Sequence, residues 1–219
     1  MKRELRITED GSHTIFVPEL NEPYHSVHGA IQESKHVFLK HGFQTITKET
    51  IRILEIGFGT GLNALLTLAE ANRTGKKIYY HAVEKYPLLA QEYHAINYER
   101  FIDGVIKGSL IKMHDAEWGE KIRLTSHFNL FKEWSDFRSM EPEGTFDLVY
   151  YDAFDPRKQP HLWNEEIFSR ISSMVNPGGV FVTYTSKGIV RRALISCDFL
   201  VEKVAGPPGK REMIRAIRR

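Results

Sequence analysis

The feature that most constrains the fold is a run of alternating glycines that follows a short apolar segment. Residues 51–56 are mostly β-branched or aliphatic, as in a buried strand, and Gly57, Gly59 and Gly61 come directly after them. Residues 62–73 then place leucines at helical spacing. Glycine is favoured where a chain turns sharply and where a ligand touches the backbone. The stretch therefore predicts a strand, a tight turn and a helix that together bind a nucleotide-like cofactor.

Strand-like and helix-like segments continue to alternate along the chain. Further strands are predicted at residues 78–84, 127–132, 146–152 and 180–184, with helices between them, including a short one at 116–122. Such alternation is typical of a parallel sheet with helices on both faces. Ligands of these sheets bind outside the carboxyl ends of the strands. We therefore expect an α/β, Rossmann-like fold with its site at that edge.

Two segments flank the alternating region. Residues 199–204 and 212–217 predict a C-terminal antiparallel hairpin, because the connection between them is short. Residues 1–42 predict a small N-terminal extension made of a hairpin or loop and a helix, and residues 43–219 the main domain. The expected main sheet is mostly parallel and has seven strands.

Composition narrows the class of protein. With 42% hydrophobic and 11% aromatic residues, the chain can form a real core. No apolar run approaches the roughly 20 residues that a membrane span needs, and the first residues are charged, unlike a signal peptide. Cys197 is the single cysteine, which excludes an internal disulfide. We expect a cytoplasmic protein without a membrane partner, and no metal site, because His25 and His28 lack further ligands at metal-binding spacing.

Charge is unevenly distributed. The formal net charge is only +2, but residues 187–219 contain nine basic and three acidic residues, a net charge of +6. Such asymmetry is compatible with a polyanionic partner and equally with a solvated basic face.

The residues around the glycines distinguish between cofactors. The spacing is not the dinucleotide fingerprint, because Leu62 stands where the last small residue is expected. Glu55, just before the turn, would repel a diphosphate but can pair with a positive group. Glu84 ends the next strand, 23 residues after Gly61, which suits a ribose diol. The pattern favours S-adenosylmethionine over NAD, and a merely structural turn remains the alternative.

Each of these groups has an expected role. Gly57, Gly59 and Gly61 would let the methionine part of the cofactor approach the backbone. Glu84 would accept hydrogen bonds from the ribose hydroxyls, or serve only as a surface acid. Asp136, after the third predicted strand, would accept a hydrogen bond from the adenine amino group, with Trp134 or a neighbour against the ring.

The acceptor side is predicted at the end of the fourth strand. Methyl transfer to an alkyl amine needs a free lone pair, yet such an amine is mostly protonated at neutral pH, since its pKa is about 10. A carboxylate can hold that amine and take its proton. Asp152 is the first candidate and Asp155 the second. Phe154, Tyr151 and Trp163 would sandwich a planar base, or belong to the core.

Further motifs carry a family resemblance. They are Asp10-Gly11-Ser12, Tyr24-His25-Ser26, His28-Gly29-Ala30, Glu33-Ser34, His36-Val37-Phe38, the stretches 55–63 and 84–88, Asp152-Ala153-Phe154 with Pro156, Lys158, Pro160 and Trp163, and Gly206-Pro207-Pro208-Gly209-Lys210-Arg211-Glu212-Met213. With these motifs the chain resembles the MnmC methyltransferase domain family of the bacterial tRNA wobble-uridine pathway, in its stand-alone form.

The resemblance implies a class I S-adenosylmethionine-dependent methyltransferase. Its acceptor would be the exocyclic amine of 5-aminomethyl-2-thiouridine at the tRNA wobble position, and its product 5-methylaminomethyl-2-thiouridine. The implied partner is the anticodon stem-loop of tRNA. Two-domain relatives prepare the amine with a FAD-dependent oxidase, for which this chain leaves no residues, so separate enzymes would supply the aminomethyl precursor.

The resemblance also implies the site residues. The cofactor-binding residues are Glu55, Gly57, Phe58, Gly59, Gly61, Asn63, Glu84, Lys85, Asp136 and Asp152. The substrate-binding residues are Tyr24, His25, Ser26, Phe154, Lys158, Trp163, Lys210 and Arg211. The proposed catalytic acid of the family falls on Asp152, in agreement with the reasoning above, and Asp155 stays second. One departure is Ser135, where the family usually has glycine before the aspartate.

Two other functions stay open at this point. One is a methyltransferase of the same fold that acts on a small-molecule amine. The other is a non-catalytic RNA-binding domain that keeps a relic of the cofactor turn.

Overall fold

The computed structural model describes residues 2–141 and 143–219, and its chain begins with a small antiparallel sheet. Strands β1 (Glu4–Ile7), β2 (His13–Val17) and β3 (Glu22–Pro23) pair in that order. The first turn is fixed by Asp10, whose Oδ1 accepts hydrogen bonds from the Ser12 backbone N–H and the Thr8 hydroxyl. The hairpin predicted near the N-terminus is therefore present.

The remaining chain alternates between strands and helices. The strands are β4 (Thr50–Ile56), β5 (Lys77–Glu84), β6 (Lys121–Arg123), β7 (Phe128–Trp134), β8 (Phe146–Tyr151), β9 (Val175–Thr183), β10 (Phe199–Ala205) and β11 (Glu212–Arg218). The α-helices are α1 (Ala30–Ser34), α2 (Leu62–Thr74), α3 (Ala90–His94), α4 (Ser109–Asp115), α5 (Glu165–Met174) and α6 (Gly188–Ser196). A π-helical segment, Lys35–Lys40, continues α1.

Within the described residues, strands β4 to β11 form one sheet of eight strands in the order β10-β11-β9-β8-β4-β5-β7-β6. The five central strands are parallel, and the hairpin of β10 and β11 adds antiparallel pairs at one edge. Chain order reverses between β4 and β8, which is the switch point where such sheets bind ligands. The predicted α/β fold with a mostly parallel sheet and a C-terminal hairpin is confirmed.

Two apolar clusters cover the sheet. Neighbouring residues of a strand point to opposite faces, so Ile53 lies in one cluster and Leu54 in the other. The first cluster contains side chains of α1, α2 and α4, and the second contains those of α5 and α6. Because the central strands are buried on both faces, they read as nearly continuous apolar runs.

The N-terminal extension joins the main core. Ala30 of α1 and Val37 and Phe38 of the π-helical segment are buried in the first cluster, together with side chains of α2. Phe38 also contacts Tyr150 of β8, with ring centroids 5.1 Å apart. Residues 30–40 therefore share apolar packing with the sheet, and the boundary at residue 42 stays a prediction.

The structure corrects the sequence reading in two places. The predicted helix at 116–122 is wrong, because Lys121–Arg123 pairs with β7 as an added edge strand and gives the eighth strand. The helix of this region is α4, which lies earlier, where the Glu99 carboxylate accepts hydrogen bonds from the N–H groups of Gly108 and Leu110 at 2.7 Å each. The second place is Asn176-Pro177-Gly178-Gly179, whose sequence predicts a sharp turn between a helix and a strand; the structure has it as the irregular start of β9, with a register shift against β8.

Two features are absent from the described residues. No helix in that part of the chain is long and apolar enough to cross a membrane. The same residues contain no group of three or more His, Cys, Asp or Glu side chains that could hold a metal ion.

Candidate active site at the carboxyl edge of the sheet

The three glycines of the turn meet three different requirements. All have positive φ, which L-residues with a side chain rarely adopt. A Cβ on Gly57 would lie 2.8 Å from the Asp152 carbonyl oxygen, and one on Gly61 would crowd α4 side chains, including His114 at 3.2 Å. A Cβ on Gly59 would meet no described atom within 4 Å. Gly57 and Gly61 are thus needed for the fold, while Gly59 leaves backbone open to the cavity that it lines.

Asn63, in the first turn of α2, connects two carboxylates. Its Nδ2 donates to Glu55 Oε1 at 3.0 Å and to Asp152 Oδ2 at 2.9 Å. Glu55 is fully buried at the end of β4, and burial raises its pKa well above the usual range. Asn63 Oδ1 and Glu55 Oε2 are buried without a hydrogen-bond partner among the described residues. A ligand that donates hydrogen bonds would satisfy Asn63 Oδ1, because Asn63 lines the cavity.

Asp152 follows β8 directly and lines the same cavity. Burial raises the pKa of its carboxyl to about 7, and the charge of Glu33 adds to the rise. The hydrogen bond from Asn63 acts in the opposite direction. The group therefore exchanges a proton near neutral pH, as a general base does.

Glu84 ends β5 and its carboxylate holds two loops. Oε2 accepts from the Gly59 N–H at 3.0 Å, and Oε1 accepts from the Tyr86 N–H at 2.7 Å. A carboxylate has about four acceptor positions, so further donors can be accommodated. Because Glu84 lines the cavity next to the glycine turn, it stands where the expected ribose diol would lie.

Asp136 lies after β7, where it pairs with the cationic side chains of Arg138 and Lys85. Oδ1 accepts from the backbone N–H and Nε of Arg138, and Oδ2 accepts from Arg138 Nη2 at 2.7 Å and from Lys85 Nζ at 3.0 Å. The hydrogen bonds from Arg138 hold the pKa of this carboxyl well below its usual range. Its expected bond to an adenine amino group stays a prediction, since that donor would displace one of these. Trp134 is 66% exposed and lies outside the cavity lining.

One cavity of about 630 Å³ brings most of the predicted site residues together. Aromatic side chains of separate segments mark the end near Asp152: Tyr24 and Phe154 are 5.1 Å apart between ring centroids, and the Tyr184 hydroxyl donates to the Ala153 carbonyl at 2.9 Å. The predicted residues that line the cavity are Tyr24, His25, Ser26, Gly57, Phe58, Gly59, Asn63, Glu84, Lys85, Asp136, Asp152, Phe154 and Lys210.

Two of these lining residues are themselves largely buried. Phe58 is 3% exposed and packs against His114 and Trp118. Burial lowers the pKa of His25 to about 4, so its imidazole is neutral, with Thr14 Oγ1 at 3.3 Å. Both side chains support the cavity wall from behind.

Other predicted residues lie outside the cavity lining. Trp163 is 2% exposed, and its Nε1 donates to the Phe154 carbonyl at 2.8 Å, so it fixes the loop from within the core instead of contacting a base. Asp155 Oδ1 pairs with Lys187 and Arg157, which lowers its pKa despite partial burial. The remaining predicted residues that do not line it are Glu55, Gly61, Lys158 and Arg211.

Sequence reasoning missed Glu33, Tyr184 and Glu22 as cavity residues. Glu33 carries the clearest signal, because it stands in a motif of the family resemblance but had no assigned role. Tyr184 follows the end of β9, at the same sheet edge as Asp152. Strand-end position alone would therefore have found Tyr184, whereas Glu22 comes from the small N-terminal sheet.

The basic C-terminal region keeps most of its positive charge. Five of its nine basic side chains form ion pairs, and these are Lys187–Asp155, Lys203–Glu212, Lys210–Glu33, Arg215–Glu202 and Arg218–Asp198. Three of these acids lie within the region and are already counted in its net charge of +6, so only Asp155 and Glu33 reduce that charge, to +4.

Two solved structures share the fold of this chain. MnmC2 from Aquifex aeolicus superimposes with a TM-score of 0.78 at 27% identity, over 98% of this chain and 70% of that one. Spermidine synthase from Thermotoga maritima, with a TM-score of 0.52 at 11% identity, shares the fold alone.

Curated relatives carry the name tRNA 5-methylaminomethyl-2-thiouridine biosynthesis bifunctional protein MnmC. The one from Burkholderia thailandensis is 31% identical over 94% of this chain and 33% of its own length. The one from Hydrogenovibrio crunogenus is 32% identical over 88% of this chain and 31% of its own length. The chain thus spans about a third of the length of these relatives.

A family match covers half of the chain. Residues 109–219 match a family described as S-adenosyl-L-methionine-dependent methyltransferase. This segment contains Asp136, Asp152 and the C-terminal hairpin, while the glycine turn and Glu84 precede it. The chain therefore belongs to this family of S-adenosyl-L-methionine-dependent methyltransferases.

Proposed function

We propose that the chain transfers a methyl group from S-adenosylmethionine to the exocyclic amine of 5-aminomethyl-2-thiouridine at the wobble position of tRNA. The observation that carries the proposal is Asp152, a half-buried carboxyl with a pKa of about 7 at the same sheet edge as the glycine turn. The printed names of the relatives, which refer to tRNA 5-methylaminomethyl-2-thiouridine biosynthesis, supply the acceptor.

The residues at the glycine turn fit the methyl donor. Gly59 leaves an open cradle that a side chain would fill, and the unpartnered Asn63 Oδ1 suits the ammonium group of the methionine part. Glu84 supplies acceptor positions for ribose hydroxyls. When bound, S-adenosylmethionine supplies a methyl group on a positively charged sulfur.

At the acceptor end, Asp152 holds and deprotonates the amine. The protonated amine donates to the carboxylate, and the proton moves to Asp152, which frees the nitrogen lone pair. The nitrogen–carbon bond then forms as the carbon–sulfur bond breaks, so the reaction mainly demands alignment and exclusion of water. Tyr24 and Phe154 provide an aromatic surface for the pyrimidine ring.

The proposed reaction also implies a partner, a compartment and a precursor. The partner is the anticodon stem-loop of tRNA, which meets the protein in the cytoplasm. The aminomethyl group is installed on the uridine before this step, by separate enzymes.

A second candidate acceptor is a small-molecule amine. The ion pairs of Lys187 and Lys210 favour it, because their acidic partners lie outside residues 187–219 and reduce the net charge of that region from +6 to +4. The two candidates differ in salt dependence, since neutralising phosphates releases counterions and makes tRNA binding weaken steeply with salt.

The test incubates the full chain with labelled S-adenosylmethionine and tRNA that carries 5-aminomethyl-2-thiouridine. We expect label on the wobble nucleoside and none on tRNA that lacks the aminomethyl group. Cofactor binding is measured separately by calorimetry. Normal cofactor binding with no labelled nucleoside would reject the tRNA proposal and leave the small-molecule amine as the acceptor to pursue.

A further inference from the structure

An ion pair between distant parts of the chain lies in the wall of the cavity. Glu33, on α1, is 7% exposed, and its Oε1 lies 2.7 Å from Lys210 Nζ, on the loop between β10 and β11. Both residues line the cavity that contains Asp152. The proposed function assigns no role to Glu33. A buried carboxylate is costly unless it is paired, and this one is paired with a lysine.

The ion pair joins several segments around the acceptor end. Glu33 Oε2 accepts from the Ser26 N–H at 2.7 Å, which fixes the loop after β3. Lys210 Nζ lies 4.1 Å from the ring centroid of Tyr184, as a cation over an aromatic face. The Tyr184 hydroxyl in turn bonds the backbone next to Asp152. The two charges are therefore held in place by contacts on both sides.

The two charges act on Asp152 in opposite directions. The negative charge of Glu33 raises the pKa of Asp152, and the positive charge of Lys210 lowers it. Other titratable groups couple to Asp152 from the surrounding elements, and these are Glu55 of β4, Tyr80 of β5, Tyr98 after α3 and Tyr184 after β9. Burial raises the pKa of all four and so favours their neutral forms, which leaves Glu33 and Lys210 as the charges that act on Asp152.

We propose that Glu33 and Lys210 are positioning residues that set how readily Asp152 takes the proton of the acceptor amine. The role given to Asp152 rests on the proposed function. Because the pair is net neutral, removing either partner leaves a single charge in the wall of the cavity that Asp152 also lines. The two single variants must then change Asp152 in opposite senses, which a purely structural role would not produce.

The test follows the protonation of Asp152 directly in the full chain. Carbon-13-labelled aspartate is incorporated, the carboxyl signal of Asp152 is assigned by its loss in D152N, and the chemical shift is titrated with pH. For Glu33→Gln we expect the midpoint to fall by about one pH unit, and for Lys210→Met to rise by about one unit. The pH at which methyl transfer is half-maximal should move in the same senses.

Matched controls come from the same hairpin. Lys203 and Glu212 form an exposed pair of the same type, also with 2.7 Å between Nζ and Oε2. Lys203→Met and Glu212→Gln should leave the Asp152 midpoint in place. Lys210→Arg, which keeps the charge, should restore most of the wild-type midpoint. The double variant of Glu33→Gln with Lys210→Met should fall between the two single variants.

Two results would overturn the proposal. One is a midpoint that moves in neither single variant, and the other is a shift of the same sign in both, each with folding verified by near-ultraviolet circular dichroism. If Glu33→Gln does not fold, the direction in which the Asp152 midpoint shifts in Lys210→Met decides the test alone. The titration needs no acceptor, so opposite shifts without tRNA methylation would reject the proposed function and keep this inference.

Discussion

Asp136 and Asp152 follow β7 and β8, which are separated in the sheet by β4 and β5, and both line the same cavity. Their surroundings are opposite. Asp136 accepts hydrogen bonds from Arg138 and Lys85, which hold its pKa well below the usual range. Asp152 has one side-chain donor, Asn63, and burial raises its pKa to about 7.

This difference in surroundings shows that aspartate can perform two distinct tasks in one cavity. A carboxylate saturated with cationic donors is a fixed charge that holds its loop and does not exchange protons near neutral pH. A carboxyl with few donors and little water changes its protonation state there. Asp136 is thus a fixed charge in the cavity wall, whereas Asp152 is a group that titrates near neutral pH.

The largest effect is expected at Asp152. In Asp152→Asn, methyl transfer to aminomethyl-tRNA should fall by about 10²–10⁴-fold, because the proton acceptor is lost. Cofactor affinity should change little. Single-turnover transfer and calorimetric titration with S-adenosylmethionine measure the two quantities. Unchanged turnover would remove the distinction between the two carboxylates.

At the cofactor end, the expected effect falls on affinity. Gly59→Ala places a methyl group in the open cradle, and affinity for S-adenosylmethionine should fall by about tenfold or more, which corresponds to about 1.4 kcal/mol. Gly75→Ala is the matched control, since Gly75 also has positive φ and an open Cβ position, but at the end of α2. Both variants should lose roughly 1–2 kcal/mol of stability. An equal loss of S-adenosylmethionine affinity in both variants would contradict the proposal that the cofactor binds against the open backbone at Gly59.

A smaller effect is expected at Asp155, the second candidate for the proton acceptor. Its carboxylate pairs with Lys187 and Arg157 outside the cavity lining. Asp155→Asn should therefore reduce methyl transfer less than about tenfold, since an ion pair at this exposure contributes about 1 kcal/mol or less. The same single-turnover assay measures this loss of methyl transfer. A loss as large as that of Asp152→Asn would transfer the catalytic role to Asp155.

The smallest effects are in stability, and here the two carboxyls should have opposite signs. The folded-state pKa of Asp152 lies above its ordinary value of 3.8, so this group lowers stability as pH rises from about 4 to about 7. The folded-state pKa of Asp136 is depressed, so its contribution is present above about pH 4 and is lost only in more acidic solution.

Melting temperatures at pH 5 and pH 8 test these signs. Asp152→Asn should raise the melting temperature at pH 8 more than at pH 5, whereas Asp136→Asn should lower it equally at both. For a chain of this size, about 1 kcal/mol corresponds to about 2–4 °C. Parallel responses of the two variants would mean that the two sites do not differ electrostatically.

Local patterns predicted the parts of the fold that depend on neighbouring residues. The glycine turn, the alternating strands and the C-terminal hairpin each follow from periodicity and turn chemistry within a few residues. The helix α4 does not, because its N–H groups are capped by Glu99, about ten positions away. Edge strand β6 was not predicted either, because its three residues are too few to show a strand pattern.

For the site, strand-end residues such as Glu84 and Asp152 line one cavity as expected, but their position in the sequence does not show how each is surrounded. Trp163 has the residue type of a base-stacking side chain, yet only tertiary packing shows that it is in the core. Glu33 and Lys210 are 177 positions apart, so no local signal joins them. The environments that distinguish Asp136 from Asp152 likewise depend on contacts that a linear sequence does not display.

The shared amide of Asn63 has a thermodynamic consequence. Its Nδ2 donates to Glu55 behind the glycine turn and to Asp152, the proposed proton acceptor, so the proposed donor and acceptor ends share one hydrogen-bond donor. A methyl donor that binds at the glycine turn and reorients this amide also changes the proton affinity of Asp152. Linkage makes such coupling reciprocal. Affinity for the methyl donor should then vary with pH to the same extent that the donor shifts the titration of Asp152.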